Sequence, residues 1–198
     1  MTIRLTPYLL LNAYAQGIFP MADPDGTIYW YDPDPRAIIP LDKFHVSRRL
    51  SRRLRRNDFK VCFDTAFRKV ILACATPGAG REETWINDEI IEAYCELHEA
   101  GFAHSVETWI GGQLVGGLYG VAIRGFFAGE SMFSHETDSS KIALVHLVNH
   151  LRRSNFVLLD TQFMTEHLRR FGAIQISQVE YKLLLDRALR TETDFGKF

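Results

Sequence analysis

Apolar and polar positions along the chain switch between a helical and a strand period, and the switches mark its elements. TPYLLLNAYAQG (6–17) has a helical face, with Thr6 able to cap, Pro7 suited to the first helical position and Gly17 a suitable stop. IFPM, a DPDG turn at 23–26 and IYWYDPDPRAIIPL (28–41) follow; four of the seven prolines fall between positions 24 and 40, so this stretch is extended and turn-rich. In HVSRRLSRRLRR (45–56), Val46, Leu50 and Leu54 repeat every four residues and give a helix a narrow apolar stripe. A change of composition at Asn57 and Asp58 marks the end of a small N-terminal unit.

Beyond it the pattern is regular. FKVCF (59–63) reads as a strand, Asp64 as the cap of a helix reaching Ala75, and 76–83 as a Pro/Gly loop. Asn87 caps an amphipathic helix with Ile90, Ile91, Tyr94 and Leu97 inward and Gly101 at its end. Three runs, 104–110, 114–123 and 126–134, form an antiparallel meander, and Gly116, Gly117 and Gly120 within it mark a bulge or the close approach of a ligand. Asp138 opens a helix to about Arg153, and FVLLD (156–160) has the continuous apolar character of a central strand. A short helix at 165–171, a strand AIQI (173–176) and a helix from the capping pattern SQVE (177–180) to about Arg190 complete the chain, with 191–198 expected to fray.

With 198 residues the chain can bury a sizeable core as one domain or a domain with a small appendage, and its net charge of −1 is unremarkable. That total conceals one asymmetry. Arg48, Arg49, Arg52, Arg53, Arg55 and Arg56 share a helix with no acid between Asp42 and Asp58, a pattern that is either a solvated face or a phosphate-binding one. The three cysteines have no metal-ligand spacing, and no apolar run reaches 18 residues, so the expectation is a cytoplasmic protein with reduced thiols and no bound metal.

Candidate chemistry gathers at predicted strand exits. GFFAGESMFS (125–134) sets Glu130 among apolar side chains beyond a bend at Gly129, either as an outward-facing turn acid or as a functional one. Asp160-x-Gln162 puts two polar side chains on one face if the strand continues. There Asp160 can accept from the Gln162 NH2 group and leave the amide oxygen free to hold an amine. Tyr29, Trp30 and Tyr31 are either core or a stacking platform. No G-x-x-x-x-G-K-[ST], G-x-S-x-G or H-E-x-x-H pattern occurs.

Taken together, NAYAQGIFPM (12–21), WYDPDPRAIIPL (30–41), FHVSRRL (44–50), TWIN (84–87), AYCELHEAGFAHSVETW (93–109), LVGGLYGV (114–121), FFAGESMFS (126–134), LLDTQ (158–162) and HLRRFGA (167–173) make the chain resemble the leucyl/phenylalanyl-tRNA–protein transferases over nearly its whole length. The resemblance implies an α/β (α+β) fold with a small N-terminal domain (1–57) and a larger GNAT-like domain (58–198) built on a mixed, largely antiparallel sheet flanked by helices. It implies transfer of Leu or Phe, sometimes Met, from aminoacyl-tRNA to a protein beginning with Arg or Lys, marking it for proteolysis. That reaction is aminolysis of an activated ester and calls for no cofactor or metal.

By the same resemblance Gln162 accepts from the attacking amine, Asp160 orients it and Glu130 meets the cationic end of the acceptor. Trp30 and Trp85 hold the terminal adenosine. Leu118 and Phe127 form the side-chain pocket beside Ser131 and Phe133, and the arginine helix takes acceptor-stem phosphates. Departures from the family pattern occur at Tyr31, Leu118, His135 and 175–178. A CoA-dependent acetyltransferase on the same fold is the alternative, but its pyrophosphate turn finds only RRFGAI (169–174), which fails at the last position. A non-catalytic RNA-binding protein is the other rival, and it leaves Glu130, Asp160 and Gln162 without a purpose.

Overall fold

The structure, a computed structural model, describes residues 4–77 and 84–196. Most of the expected loop at 76–83 lies outside them. The first helix, α1 (Pro7–Ala15), is opened by the Thr6 hydroxyl, which accepts from the Leu9 N–H at 3.2 Å. β1 (Phe19–Ala22) and β2 (Ile28–Tyr31) pair antiparallel across the DPDG turn as a separate two-stranded sheet.

β3 (Arg36–Ile39) belongs elsewhere. With β4 (Lys60–Phe63), β5 (Ala103–Ile110), β6 (Gln113–Ile123), β7 (Phe126–Ser134), β8 (Leu158–Gln162) and β9 (Ile174–Ile176) it forms a seven-stranded sheet of order β4-β5-β6-β7-β8-β3-β9. Every pairing is antiparallel except β7 with β8, which is parallel. The expected meander is β5-β6-β7, and β8 is interior, as its apolar run required. Because β3 lies between β8 and β9, the expected boundary after residue 57 does not separate the two sheets.

The period of two in the strands sorts side chains into two cores. One holds Ile38, Tyr119, Val121, Phe126, Ala128 and Leu158 against α1, α3 (Phe67–Ala75), α4 (Asp88–Glu99) and α7 (Gln178–Arg190). The other holds Ile39, Leu118, Ala122, Phe127 and Leu159 against α5 (Ser139–Arg153), with Leu50 of α2 (Arg48–Arg55). The remaining helix, α6 (Glu166–Arg169), is one turn opened by Thr165. The inward residues expected on α4, namely Ile90, Ile91, Tyr94 and Leu97, are all buried, and Asn87 caps it at 2.9 Å.

Three local expectations are corrected. Asp64 does not cap α3. Its φ is +55°, and its carboxylate accepts from the Ser105 N–H at 2.8 Å and contacts His104 Nδ1 at 2.7 Å, while Ala66 holds the cap position. Asp138 does open α5 as expected, holding its cap position at φ +69° without a side-chain cap bond. The bend expected at Gly129 is a bulge inside an unbroken β7. Tyr119 pairs with Ser131 and Gly120 with Gly129, so Glu130 is the extra residue. A Cβ on Gly120 would overlap the Ala128 carbonyl and the Phe127 ring, so the bulge requires glycine there. Gly116 and Gly117 answer instead to the close approach of Ser139 and the Val106 carbonyl.

The third correction is the tail. Phe195 is 2% exposed, with its ring 5.5 Å from Phe127 and 4.1 Å from His104, and its carbonyl lies 2.7 Å from His150 Nε2. A sequence of mostly polar residues hid this, because one aromatic suffices to anchor it. Replacing Phe195 by Ala should therefore lower unfolding free energy by about 3–5 kcal/mol, the usual range for a buried Phe. Tyr8→Ala, at a side chain 79% exposed, should stay within about 0.5 kcal/mol of wild type; urea unfolding of both variants checks the contrast.

Candidate active site

Parallel pairing of β7 and β8 runs from Phe126 opposite Leu158 to Ala128 opposite Asp160 and stops there. Each strand is bulged where the pairing ends. On β7 the extra residue is Glu130; on β8, Ala37 of β3 faces Gln162 and Ile38 faces Asp160, so Thr161 is extra. The strands part beyond the bulges, and a cavity of about 280 Å³ occupies the gap.

The cavity has walls from both cores. Leu118, Met132, Leu144, Leu147, Leu159 and Leu168 line it on the α5 side, and Phe19, Met21, Trp85 and Phe163 on the other. The bulge makes this possible. It inverts the alternation of β7, so that Met132 joins the α5-side core with Leu118 while Phe133 joins the opposite one. A benzene-sized ring needs a cavity of roughly 150 Å³, so the space admits a branched aliphatic or aromatic side chain together with part of its backbone.

Glu130 and Gln162 stand at the junction of the two walls. Gln162 Nε2 donates to Glu130 Oε1 at 3.2 Å, and the Tyr94 hydroxyl donates to Oε2 at 3.4 Å. Tyr94 is hydrogen-bonded to Tyr14 in turn, so α1 and α4 jointly hold the carboxylate from behind. Glu130 is thus neither an outward turn acid nor at a strand exit. Burial pushes its carboxyl up to about 8, Asp160 adds to the rise, and the Tyr14 and Tyr94 hydroxyls and Arg36 oppose it.

Asp160 is placed differently from the expectation. Its side chain is 0% exposed and does not touch the Gln162 NH2 group. Asp160 Oδ1 accepts from Arg36 Nε at 3.0 Å and from the Gln162 backbone N–H at 2.9 Å. Oδ2 accepts from Arg36 Nη2 at 2.6 Å and the Tyr181 hydroxyl at 2.9 Å. It therefore positions the backbone of Gln162, which has φ +57°, and Glu130 orients the amide. The bulge at Thr161 and that left-handed turn are why the simple i, i+2 geometry fails.

Other predicted residues divide. Leu118, Ser131 and Trp85 reach the cavity wall. Phe127 is 0% exposed beneath Phe195, Phe133 is buried beside Gly117, and neither lines the cavity. Trp30 pairs with Pro20, whereas Phe19 and Met21 pair with Tyr31 and Tyr29, so strand alternation turns Trp30 to the face of the two-stranded sheet away from the cavity. The expectation missed Arg36, Tyr14, Tyr94, Tyr181 and Met21. The signal was a tyrosine at an inward helical position and a lone arginine leading into an apolar strand.

The arginine helix begins at Arg48, capped by Ser47. Arg48, Arg49, Arg52, Arg55 and Arg56 are exposed, but Arg53 pairs with Asp58 and lies 4.6 Å over the Phe59 ring, so one of the six charges is neutralised after all. Arg49, Arg52, Arg53 and Arg56 line a polar concavity of about 600 Å³ that ends at Thr137 and Asp138. A neighbouring one of about 410 Å³ shares Arg49 and Asp138 with it and adds Lys141, paired with Asp138, Arg170, paired with Glu166, and His167. His167 also lines the apolar cavity, so this groove of mixed charge connects the cavity with the arginine-lined concavity. Burial, then Lys141 and Arg170, lower its imidazole below the usual histidine range. Among the described residues no cluster of three potential metal ligands occurs.

The raised carboxyl of Glu130 makes a stability prediction. The folded chain keeps a proton between pH 4.5 and about 8 that the unfolded chain has released, so stability falls as pH rises through that window. Glu130→Gln removes the penalty. Its melting temperature should exceed wild type at pH 9, by an amount on the order of a few kcal/mol in free energy, and converge with wild type at pH 5.

Comparison with known proteins bears on the same residues. The family model described as leucyl/phenylalanyl-tRNA protein transferase matches residues 38–186, and the model of that family's N-terminal domain matches 4–34. A leucyl/phenylalanyl-tRNA–protein transferase of Herpetosiphon aurantiacus is 59% identical over 98% of this chain and 100% of its own length. One from Phenylobacterium zucineum is 57% identical over 94% of this chain and 85% of its own. Among solved structures, L-PGS from Bacillus licheniformis aligns with TM-score 0.48 and 12% identity over 79% of this chain and 65% of its own. With one family model spanning both bulged strands and the arginine helix and the N-terminal one covering Phe19 and Met21 of the cavity wall, the chain belongs to the leucyl/phenylalanyl-tRNA–protein transferase family of aminoacyltransferases.

Proposed function

We propose that the cavity between β7 and β8 receives the leucyl or phenylalanyl side chain of an aminoacyl-tRNA, and that its ester is attacked there by the α-amine of a protein beginning with Arg or Lys. The observation that carries this reading is the meeting of three surfaces. An apolar cavity of side-chain size and a carboxylate–amide pair adjoin a groove of mixed charge that leads, through Arg49, to the arginine-lined concavity.

Each surface has a part in the reaction. The apolar wall holds the aminoacyl side chain by volume and hydrophobicity, which gives discrimination of about 1–3 kcal/mol per methylene. The Gln162 Nε2 is engaged by Glu130, so its amide oxygen is left to accept from the incoming amine. Glu130 meets the cationic end of the acceptor, and holding amine and ester together supplies the rate advantage of an intramolecular reaction. Trp85 offers the aromatic face for the terminal base at the cavity edge. Segment 1–57 contributes the tRNA-binding helix, with Arg48, Arg49, Arg52, Arg55 and Arg56 reading phosphates without sequence preference, as suits a cytoplasmic enzyme that meets many tRNAs.

The acetyltransferase alternative gains nothing from the geometry. A pyrophosphate turn at 169–174 would have to present free N–H groups. Those of Phe171, Gly172 and Ala173 donate instead to the Leu168 and Arg169 carbonyls at 2.9 to 3.2 Å.

Transfer of labelled leucine from charged tRNA to an Arg-starting peptide is the direct test, and binding of tRNA without transfer would refute the reading. Gln162→Ala should lower single-turnover transfer by about 100-fold or more while changing tRNA affinity less than about threefold. Converting Arg48, Arg49, Arg52 and Arg56 together to Gln should weaken tRNA binding and flatten the slope of log K against log salt by up to about 3. Arg53→Gln, by contrast, should act chiefly on stability, read as a lower melting temperature.

A further inference from the structure

An ester is attacked by a neutral amine, yet an α-amine with a pKa near 8 reaches the site mostly as ammonium at pH 7. About a tenth is neutral at that pH, and a proton acceptor in the cavity makes the remainder available for attack. Of the groups lining it, Gln162 carries an amide, which is no base, and Glu130 is the one carboxylate among the described residues. Asp160 does not line the cavity, and both its oxygens are engaged by Arg36, Tyr181 and the Gln162 N–H. His167 sits at the far junction with the groove of mixed charge, beside Lys141 and Arg170.

We propose that Glu130 in its ionised form is the proton acceptor of the transfer reaction, taking one proton from the acceptor's ammonium at the point where Gln162 then holds the neutral amine. This rests on the reading of the cavity as an aminoacyl-transfer site. The geometry is suited to it. Gln162 Nε2 binds Glu130 Oε1, so an amine between the Gln162 oxygen and the Glu130 carboxylate touches both. Every other ionisable group around that carboxylate is accounted for. Tyr14 from α1, Tyr94 from α4 and Tyr119 from β6 are all held well above the usual tyrosine range, first by burial, and remain donors. Asp160 of β8 and Arg36 of β3 are paired with one another.

The step balances. The ammonium gives one proton to Glu130, and the freed lone pair forms the C–N bond at the ester carbonyl. The C–O bond to the ribose breaks, its electron pair stays on the ribose oxygen, and that oxygen takes a second proton from the same nitrogen. The amide and a free tRNA hydroxyl result, and Glu130 returns its proton to water. The raised affinity of Glu130 for a proton matches that of an α-amine, which makes the exchange nearly neutral in energy.

The test compares two acceptors at pH 7 with saturating Leu-tRNA: an Arg-starting peptide, and one beginning with α-hydrazino-arginine, whose terminal nitrogen is already neutral. Glu130→Gln should lose about 100-fold or more with the first and less than about tenfold with the second. An equal loss with both would make Glu130 a positioning residue and overturn the proposal. Tyr94→Phe keeps the carboxylate but removes a donor to its charged form, so the rising limb of the kcat/KM profile for the Arg-peptide should move to higher pH. An unmoved limb would also overturn the proposal, whether or not the Gln variant folds. Absence of transfer by the wild-type chain to either acceptor would overturn both this step and the function on which it rests.

Discussion

The buried ion pair of Arg36 and Asp160 is the constraint on which the rest of the site depends. Two charges at 0% exposure are costly unless every polar atom is met. Here the guanidinium binds Asp160 through Nε and Nη2 and the Gly17 carbonyl through Nη1 at 2.9 Å, and is flanked by the Phe19 and Tyr181 rings at 4.7 and 4.4 Å. One side chain thereby ties together the end of α1, β1, β3, β8 and α7. Gly17 has φ +76° and the Tyr181 ring pressed against it, so the chain reverses at that point only because no side chain is present. The pair also fills Asp160 so completely that the left-handed Gln162 is held by its own N–H, and the amide is left for Glu130.

Much of this fold could be read from periodicity. The order of helices and strands, the β5-β6-β7 meander and the inward face of α4 follow from local patterns that tertiary contacts reinforce. What could not be read is where a pattern is deliberately broken. A bulge adds one residue without changing composition, so nothing in FFAGESMFS separates a strand that stops at Gly129 from one that continues past an extra Glu130. The same is true of Asp160-Thr161-Gln162, where the spacing suggested one shared face and the bulge at Thr161 denied it.

Long-range pairing was equally silent. Arg36 and Asp160 are 124 positions apart, and Phe195 closes a core whose other members come from β3 to β8 and from α2 and α5. Strand parity turns Trp30 away, whereas Phe127 shares the α5-side core with Leu118 but lies under Phe195 outside the cavity, and Phe133 is buried beside Gly117. Leu118, Ser131 and Trp85 were legible because they flank the gap itself. The arginine helix was legible as a charge pattern, while the neutralisation of Arg53 needed the fold to bring Asp58 and Phe59 beneath it.

The gap between β7 and β8 draws its walls from two separate cores. Leu144, Leu147 and Leu159, which shape the apolar half, belong to the α5-side core, whereas the groups that hold Glu130 from behind, Tyr14 and Tyr94, belong to the other. Substitutions that enlarge or narrow one half therefore repack a layer the other half does not share. In evolutionary terms, selectivity for the side chain and competence for the chemistry are separable traits in this architecture. A lineage can retune the amino acid it accepts through α5 while the carboxylate, its tyrosines and the amide stay where they are.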